Sequence, residues 1–103
     1  MYQISFYVPT EHAQIVKNLM FDAGAGQFDN YEQCAWQTVG TGQFKPVNNA
    51  SPAIGKLNKV ETLEELKVEM LCAKENIEQV VNAMKHSHPY EQVAYFVLKI
   101  EAL

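Results

Sequence analysis

From residue 2 to residue 8 the chain alternates, with Ile4, Phe6 and Val8 set between Gln3, Ser5 and Tyr7. A period of two turns one set toward a core, so Tyr2 to Val8 predicts a half-buried strand. Pro9-Thr10 then opens a helix, with Thr10 as N-cap and Glu11 as a favourable first-turn acid. Ala13, Val16, Leu19, Met20 and Ala23 share one face at helical spacing, and Gly24 is placed to end the helix. Tyr31 to Val39, with Cys34, Trp36 and Thr38 alternating, reads as a second strand. Lys45 to Lys59 shows no periodicity and carries Pro46, Pro52 and Gly55, which predicts a long excursion from the sheet. Lys59 to Thr62 forms a short arm, and Leu66, Val68, Met70 and Cys72 alternate as the third main strand. A second helix is predicted over Glu75 to Lys85 on the stripe Ile77, Val80, Val81 and Met84. Gln92 to Glu101 is a β-prone run that supplies the fourth strand.

The order β-α-β, long loop, β-α-β is that of the α+β class. It corresponds to the ferredoxin-like split βαβ plan, a four-stranded antiparallel sheet with two helices on one face, in a single domain over 1–103. Strand four is apolar on both sides, with Val93, Tyr95 and Val97 on one and Ala94, Phe96, Leu98 and Ile100 on the other. Two helices cover only one face of a sheet. The second face therefore calls for a partner, and a homo-oligomer is expected.

Composition narrows the function. The chain has eight lysines, twelve acids, a net charge of −4 and no arginine. Bidentate grip on phosphate is arginine's chemistry, so nucleic acid is not expected as a partner. No apolar run approaches the ~20 residues that span a bilayer, and Met1-Tyr2-Gln3-Ile4 does not open a signal segment. The expectation is a cytoplasmic protein, with Cys34 and Cys72 as buried, unpaired thiols on strands.

The densest chemistry is His88-Pro89-Tyr90-Glu91, between the second helix and the last strand. Proline biases His88 away from helical angles, so the helix should stop near Lys85 to Ser87. Three readings stand side by side. His88 and Tyr90 could satisfy backbone groups where helix meets strand. His86, His88 and Glu91 could ligate a divalent metal such as zinc or copper. His88 and Glu91 could instead line a small-molecule cleft with the loop of a neighbour. Gly24-Ala25-Gly26-Gln27-Phe28 and Gly40-Thr41-Gly42-Gln43-Phe44 echo each other and read as turn and strand-end glycines, not phosphate loops. Glu64-Glu65 read as a solvated strand start, His12 as a surface residue, and strand cysteines as inert, so no enzyme is expected.

Gly24-Ala25-Gly26, Asn30-Tyr31, Cys34, Trp36, Gly40-x-Gly42-x-Phe44-x-Pro46, Ala50-x-Pro52-x-Ile54-Gly55 and His88-Pro89-Tyr90-Glu91-x-Val93-Ala94-Tyr95 carry a resemblance over nearly the whole chain. It resembles the YqfO-type domain inserted in Nif-three-like proteins and also found alone, a relative of the CutA and PII trimers. The resemblance implies a trimer packed through its sheets, with the long loop beside an inter-subunit cleft, and here the domain is taken as standing alone. Asp29 and Asn49 replace frequent glycines at turns, both types that tolerate left-handed angles. Lys45 replaces a common arginine. The metal-binding domain that surrounds the insertion in the larger proteins has no counterpart here, so its hydrolase activity is not implied. The implied function is a non-enzymatic, trimeric domain that binds a small ligand or a protein. Its ligand-binding set is His88, Tyr90, Glu91, Gly40, Gly42, Phe44, Lys45 and Pro46. A CutA-like divalent-metal protein using His86, His88 and Glu91 is the alternative.

Overall fold

The period-two runs become strands and the 3.6-period runs become helices, in the predicted order. The computed structural model describes residues 1–101. It contains β1 (Tyr2–Pro9), α1 (Ala13–Asp22), β2 (Trp36–Phe44), β3 (Glu61–Cys72), α2 (Ile77–Ser87) and β4 (Tyr95–Lys99). The sheet order is β2-β3-β1-β4, and every neighbouring pair is antiparallel. This is the ferredoxin-like α+β architecture expected from the sequence. Among the described residues no helix is long and apolar enough to cross a membrane.

The core lies between the sheet and the two helices. Ile4, Phe6 and Val8 of β1 sit opposite Met70, Val68 and Leu66 of β3, and all six are buried. Val16 and Met20 from α1, with Val80 and Met84 from α2, close over them. Each large side chain so buried contributes roughly 1.5–3 kcal/mol relative to exposure. The opposite face of the sheet has no helix. Phe96 and Leu98 point there, opposite Ser5 and Gln3, and each is 57% exposed. Trp36, opposite Glu69 on the same face, is 68% exposed.

Several local expectations need correction. Thr10 does not cap α1: residues Thr10–His12 form a turn of 3-10 helix, and the Thr10 hydroxyl donates to Glu64 instead (3.1 Å). Leu19 is 44% exposed, because the buried stripe of α1 is only Ala13, Val16 and Met20 wide. The second strand begins at Trp36, not Tyr31, since Gln33 adopts a left-handed φ of 57° that interrupts the extended run. Cys34 therefore lies in a connection, half-buried, while Cys72 is a buried strand residue as expected. Gly40 and Gly42 are inside β2 and not at its end. The fourth strand pairs regularly only from Tyr95, although the Tyr7 amide already reaches the Ala94 carbonyl (3.4 Å). Asp29 takes the left-handed angle expected of it, whereas Asn48, and not Asn49, does so in the long loop.

The end of α1 shows why the Gly24-Ala25-Gly26 run is needed. The Ala25 amide donates to the Met20 carbonyl and the Gly24 amide to Phe21, with Gly24 at φ 114°. Those two bonds make a Schellman cap. The chain then turns at Gly26 (φ 78°), whose amide bonds Leu71 of β3 and whose carbonyl accepts from Cys34. A Cβ on Gly26 would sit 2.8 Å from the Cys34 carbonyl oxygen, whereas one on Gly40 would meet nothing within 4 Å. Gly26→Ala should therefore destabilise the fold by roughly 1–2 kcal/mol from the left-handed backbone alone, with more from the clash. Gly40→Ala should leave the urea midpoint nearly unchanged, so equilibrium unfolding of the two variants checks the assignment.

Candidate functional site

The site is assembled where α2 hands over to β4. Pro89 disfavours helical angles at His88, which is extended at φ −76°, ψ 140°, while its amide still caps the helix by donating to the Met84 carbonyl (3.0 Å). α2 thus stops at Ser87, within the predicted window. The His88 ring folds back into the molecule and is only 7% exposed. Its Nδ1 accepts from the Tyr90 amide (3.1 Å), which leaves Nε2 to carry the proton and donate to the Tyr7 carbonyl of β1 (2.7 Å). The ring also stands edge-on to Phe6, with centroids 6.5 Å apart. Burial lowers the His88 pKa, with the Tyr7 bond and Glu65 opposing that shift in part.

Tyr90 continues the arrangement outward. Its hydroxyl donates to Glu65 Oε2 of β3 at 2.8 Å, and its ring lies 4.9 Å from His88 and 6.0 Å from Phe44. Burial first, and the Glu65 carboxylate second, push the phenol well above its ordinary pKa. Glu65 pairs across the ladder with Gly40, and its carboxylate lies over Gly42, where any Cβ would overlap it. Glu64 and Glu65 are therefore not one solvated pair. Period two sends Glu64 out to Thr10 and Glu65 inward to Tyr90.

The long loop folds back over the chain's own sheet. Its neck is closed by the Asn58 amide donating to the Pro46 carbonyl (2.6 Å). Its far side is tied to the turn by the Ser51 amide, which donates to Glu91 Oε1 (2.9 Å). Under it lies a cavity of about 820 Å³. The helix-free face of β1, β2 and β3 makes the floor, the loop makes the roof, and Tyr90, Glu91 and Gln92 make one wall.

Seven of the eight predicted ligand-binding residues line this cavity: Tyr90, Glu91, Gly40, Gly42, Phe44, Lys45 and Pro46. His88 does not; it stands behind Tyr90 and holds the turn. The three residues of the metal expectation are not brought together. His86 is exposed on α2, both nitrogens of His88 are occupied by backbone groups, and Glu91 accepts from Ser51. Among the described residues no three His, Cys, Asp or Glu side chains gather as a metal set. Nor does Cys72 pair with His88. Cys72 is registered with Tyr2 and His88 bonds Tyr7, five residues and so ~17 Å further along β1. Burial raises the Cys72 thiol pKa, as befits an inert core thiol.

Sequence reasoning missed Glu65 and Tyr7, and it singled out the long loop as a whole without picking out its lining residues Ala50, Pro52, Ala53 and Ile54. A signal existed for the first: Gly40 and Gly42 alternate on one face of β2, leaving room for a long side chain from the neighbouring strand.

Comparison with known proteins follows the same lines. No family model matches the chain. It is 38% identical over 99 residues to the GTP cyclohydrolase 1 type 2 homolog of Bacillus subtilis, an alignment covering 96% of this chain and 26% of that protein. Among solved structures, a Bacillus cereus protein related to NIF3 superposes with a TM-score of 0.82 at 33% identity, over 98% of this chain and 26% of that one. The PII-like protein CutA from Nostoc superposes at 0.69 and 17% identity, over 98% and 82% of the two chains, which is a likeness of fold. The resemblance to the domain inserted in Nif-three-like proteins thus holds over nearly the whole chain. The chain spans about a quarter of the length of the curated relatives it matches.

A buried neutral imidazole makes stability depend on pH. The folded ring resists a proton that the unfolded chain takes up near pH 6.5. His88 should therefore contribute fully above about pH 6.5, and stability should fall as pH drops from there toward its lowered folded pKa. His88→Phe should lose roughly 1–3 kcal/mol at neutral pH, because the Tyr7 carbonyl and Tyr90 amide lose their partner. It should also flatten the acid limb, as read by urea unfolding at several pH values.

Proposed function

We propose that this chain is a non-enzymatic binding domain of PII/CutA-like plan that takes a small molecule into the cavity beneath its long loop. The observation that carries the reading is the roof itself. A segment with no regular structure is folded back over an open sheet face and tied to the His88-Pro89-Tyr90-Glu91 turn through Ser51 and Glu91. The cavity's size falls in the range of small-ligand sites, and apolar walls with a few placed polar groups are the usual make-up of such sites. Closure of a loop on a ligand is a common switching device.

The domain works, on this reading, as a cytoplasmic homo-oligomer, a trimer by analogy with its resemblance. Trp36, Phe96 and Leu98, exposed on the same face as the cavity, supply apolar surface for a neighbouring copy. Assembly on that face would draw the cavity into an inter-subunit cleft, with the protomer's own loop as its roof. The metal reading has no comparable geometry behind it, because the imidazole it needs is already bonded on both nitrogens. The activity named for the longer relatives is not carried over to a quarter of their length.

Two outcomes test this. Native mass spectrometry of the protein should show a trimer, and Trp36→Lys with Leu98→Lys should shift it to monomer without unfolding it. Replacing 47–57 with a short Gly-Ser linker should keep the circular dichroism spectrum and abolish uptake of small molecules from a metabolite extract. An unchanged uptake would place the ligand elsewhere.

A further inference from the structure

Resting on the cavity reading above, the charge and donor balance inside the cavity indicates what it selects. The titratable side chains lining it besides Tyr7 and Tyr90 are Glu65, Glu69, Glu91, Lys45 and Lys67. Most are already committed. Glu91 Oε1 accepts from Ser51. Glu69 Oε1 accepts from Gln3 (2.9 Å) and stands 3.9 Å from the Lys67 ammonium, which answers that positive charge. Lys45 is exposed at the loop's start.

Like the other two acids, Glu65 has one oxygen engaged, its Oε2 taking the Tyr90 hydroxyl. It is half-buried, however, is paired with no lysine among the described residues, and sets Oε1 over Gly42 beside the Tyr90 ring. No buried side-chain polar atom in the described residues lacks a partner, so this oxygen is not fully buried, and Glu65 is among the residues that line the cavity. A carboxylate oxygen open to the cavity, beneath a roof of Val47, Ala50, Pro52, Ala53 and Ile54, favours a donor that brings positive charge, because charge-assisted hydrogen bonds are the stronger ones. The rings of Tyr90 and Phe44 stand at the same corner, and the electron-rich faces of aromatic rings attract cations. The chain has no arginine to clasp phosphate in a fork, and Lys67 is already paired.

We infer that the cavity selects compact, largely apolar or aromatic molecules bearing a cationic nitrogen donor, such as a protonated amine or an amidine, with Glu65 as the anchor. Phosphorylated ligands are disfavoured by the same arrangement. Gly42 is part of the device, since it is the absence of a side chain there that lets the carboxylate lie flat against the floor.

Matched probes that share a phenyl body test this: benzylamine, benzamidine, benzyl alcohol and benzyl phosphate, titrated into the full chain. Backbone amide NMR shifts of Gly40, Gly42 and Ala53 report on the cavity. The two cationic probes should bind there and the other two more weakly. Glu65→Gln keeps an acceptor for Tyr90 and should fold normally, yet weaken benzamidine by roughly tenfold. Gly42→Ala should displace the Glu65 carboxylate and weaken benzamidine in the same direction with Glu65 intact. Benzyl phosphate or benzyl alcohol binding as tightly as benzamidine would overturn the inference and leave the cavity reading standing. So would a benzamidine affinity that Glu65→Gln does not change. If no probe moves those amides, both the inference and the cavity reading fall.

Discussion

A neutral imidazole has one donor and one acceptor, and His88 gives both to the backbone. One bond reaches the Tyr7 carbonyl in β1 and the other takes the Tyr90 amide two residues on. The ring thus fastens the end of α2 to the sheet and fixes the direction in which the chain leaves the turn. Everything outward depends on that direction. Tyr90 meets Glu65 because His88 is seated, and Glu91 meets Ser51 because Tyr90 is seated. Two hydrogen bonds, His88 to the Tyr90 amide and Glu91 to Ser51, connect a core histidine to the long loop, and a third ties Tyr90 to β3 on the way. A motif that reads at first as exposed chemistry is mostly a joint, with its polar atoms turned inward.

The elements themselves were legible because their periodicity is strong. Ile4, Phe6 and Val8 could belong to nothing but a one-sided strand, and they are fully buried. The errors cluster where one residue overrides a pattern. Gln33 takes a left-handed angle in a run that otherwise looks extended, and Thr10 finds a carboxylate on β3 in place of the helix amides it was suited to cap. The second choice is not local, because it depends on which strand lies beside Thr10.

The cavity was legible in part for the same reason. Gly40, Gly42, Phe44, Lys45 and Pro46 stand out in sequence through glycine spacing and proline, and Tyr90 and Glu91 through their motif. Glu65 does not stand out, because an acid in the doublet Glu64-Glu65 looks solvated until the register of β2 against β3 is known. That register sets Glu65 opposite Gly40 and beside Gly42, and so makes it a floor residue. The long loop was expected beside a cleft, but its fold back over the chain's own sheet was not legible, since a loop's path is fixed by contacts that carry no periodic signature.

The Ser51–Glu91 bond has a kinetic corollary. One hydrogen bond to a charged acceptor is worth roughly 1.5–3 kcal/mol, and less where water competes. Among the described residues it joins the roof to the turn, while the bond from Asn58 to Pro46 only gathers the roof's own neck. For a ligand bound as proposed, breaking that one polar tie is a small part of the barrier to entry. How long the molecule then remains is decided by its own contacts with the floor, so affinity in such a compartment is set through the rate of leaving.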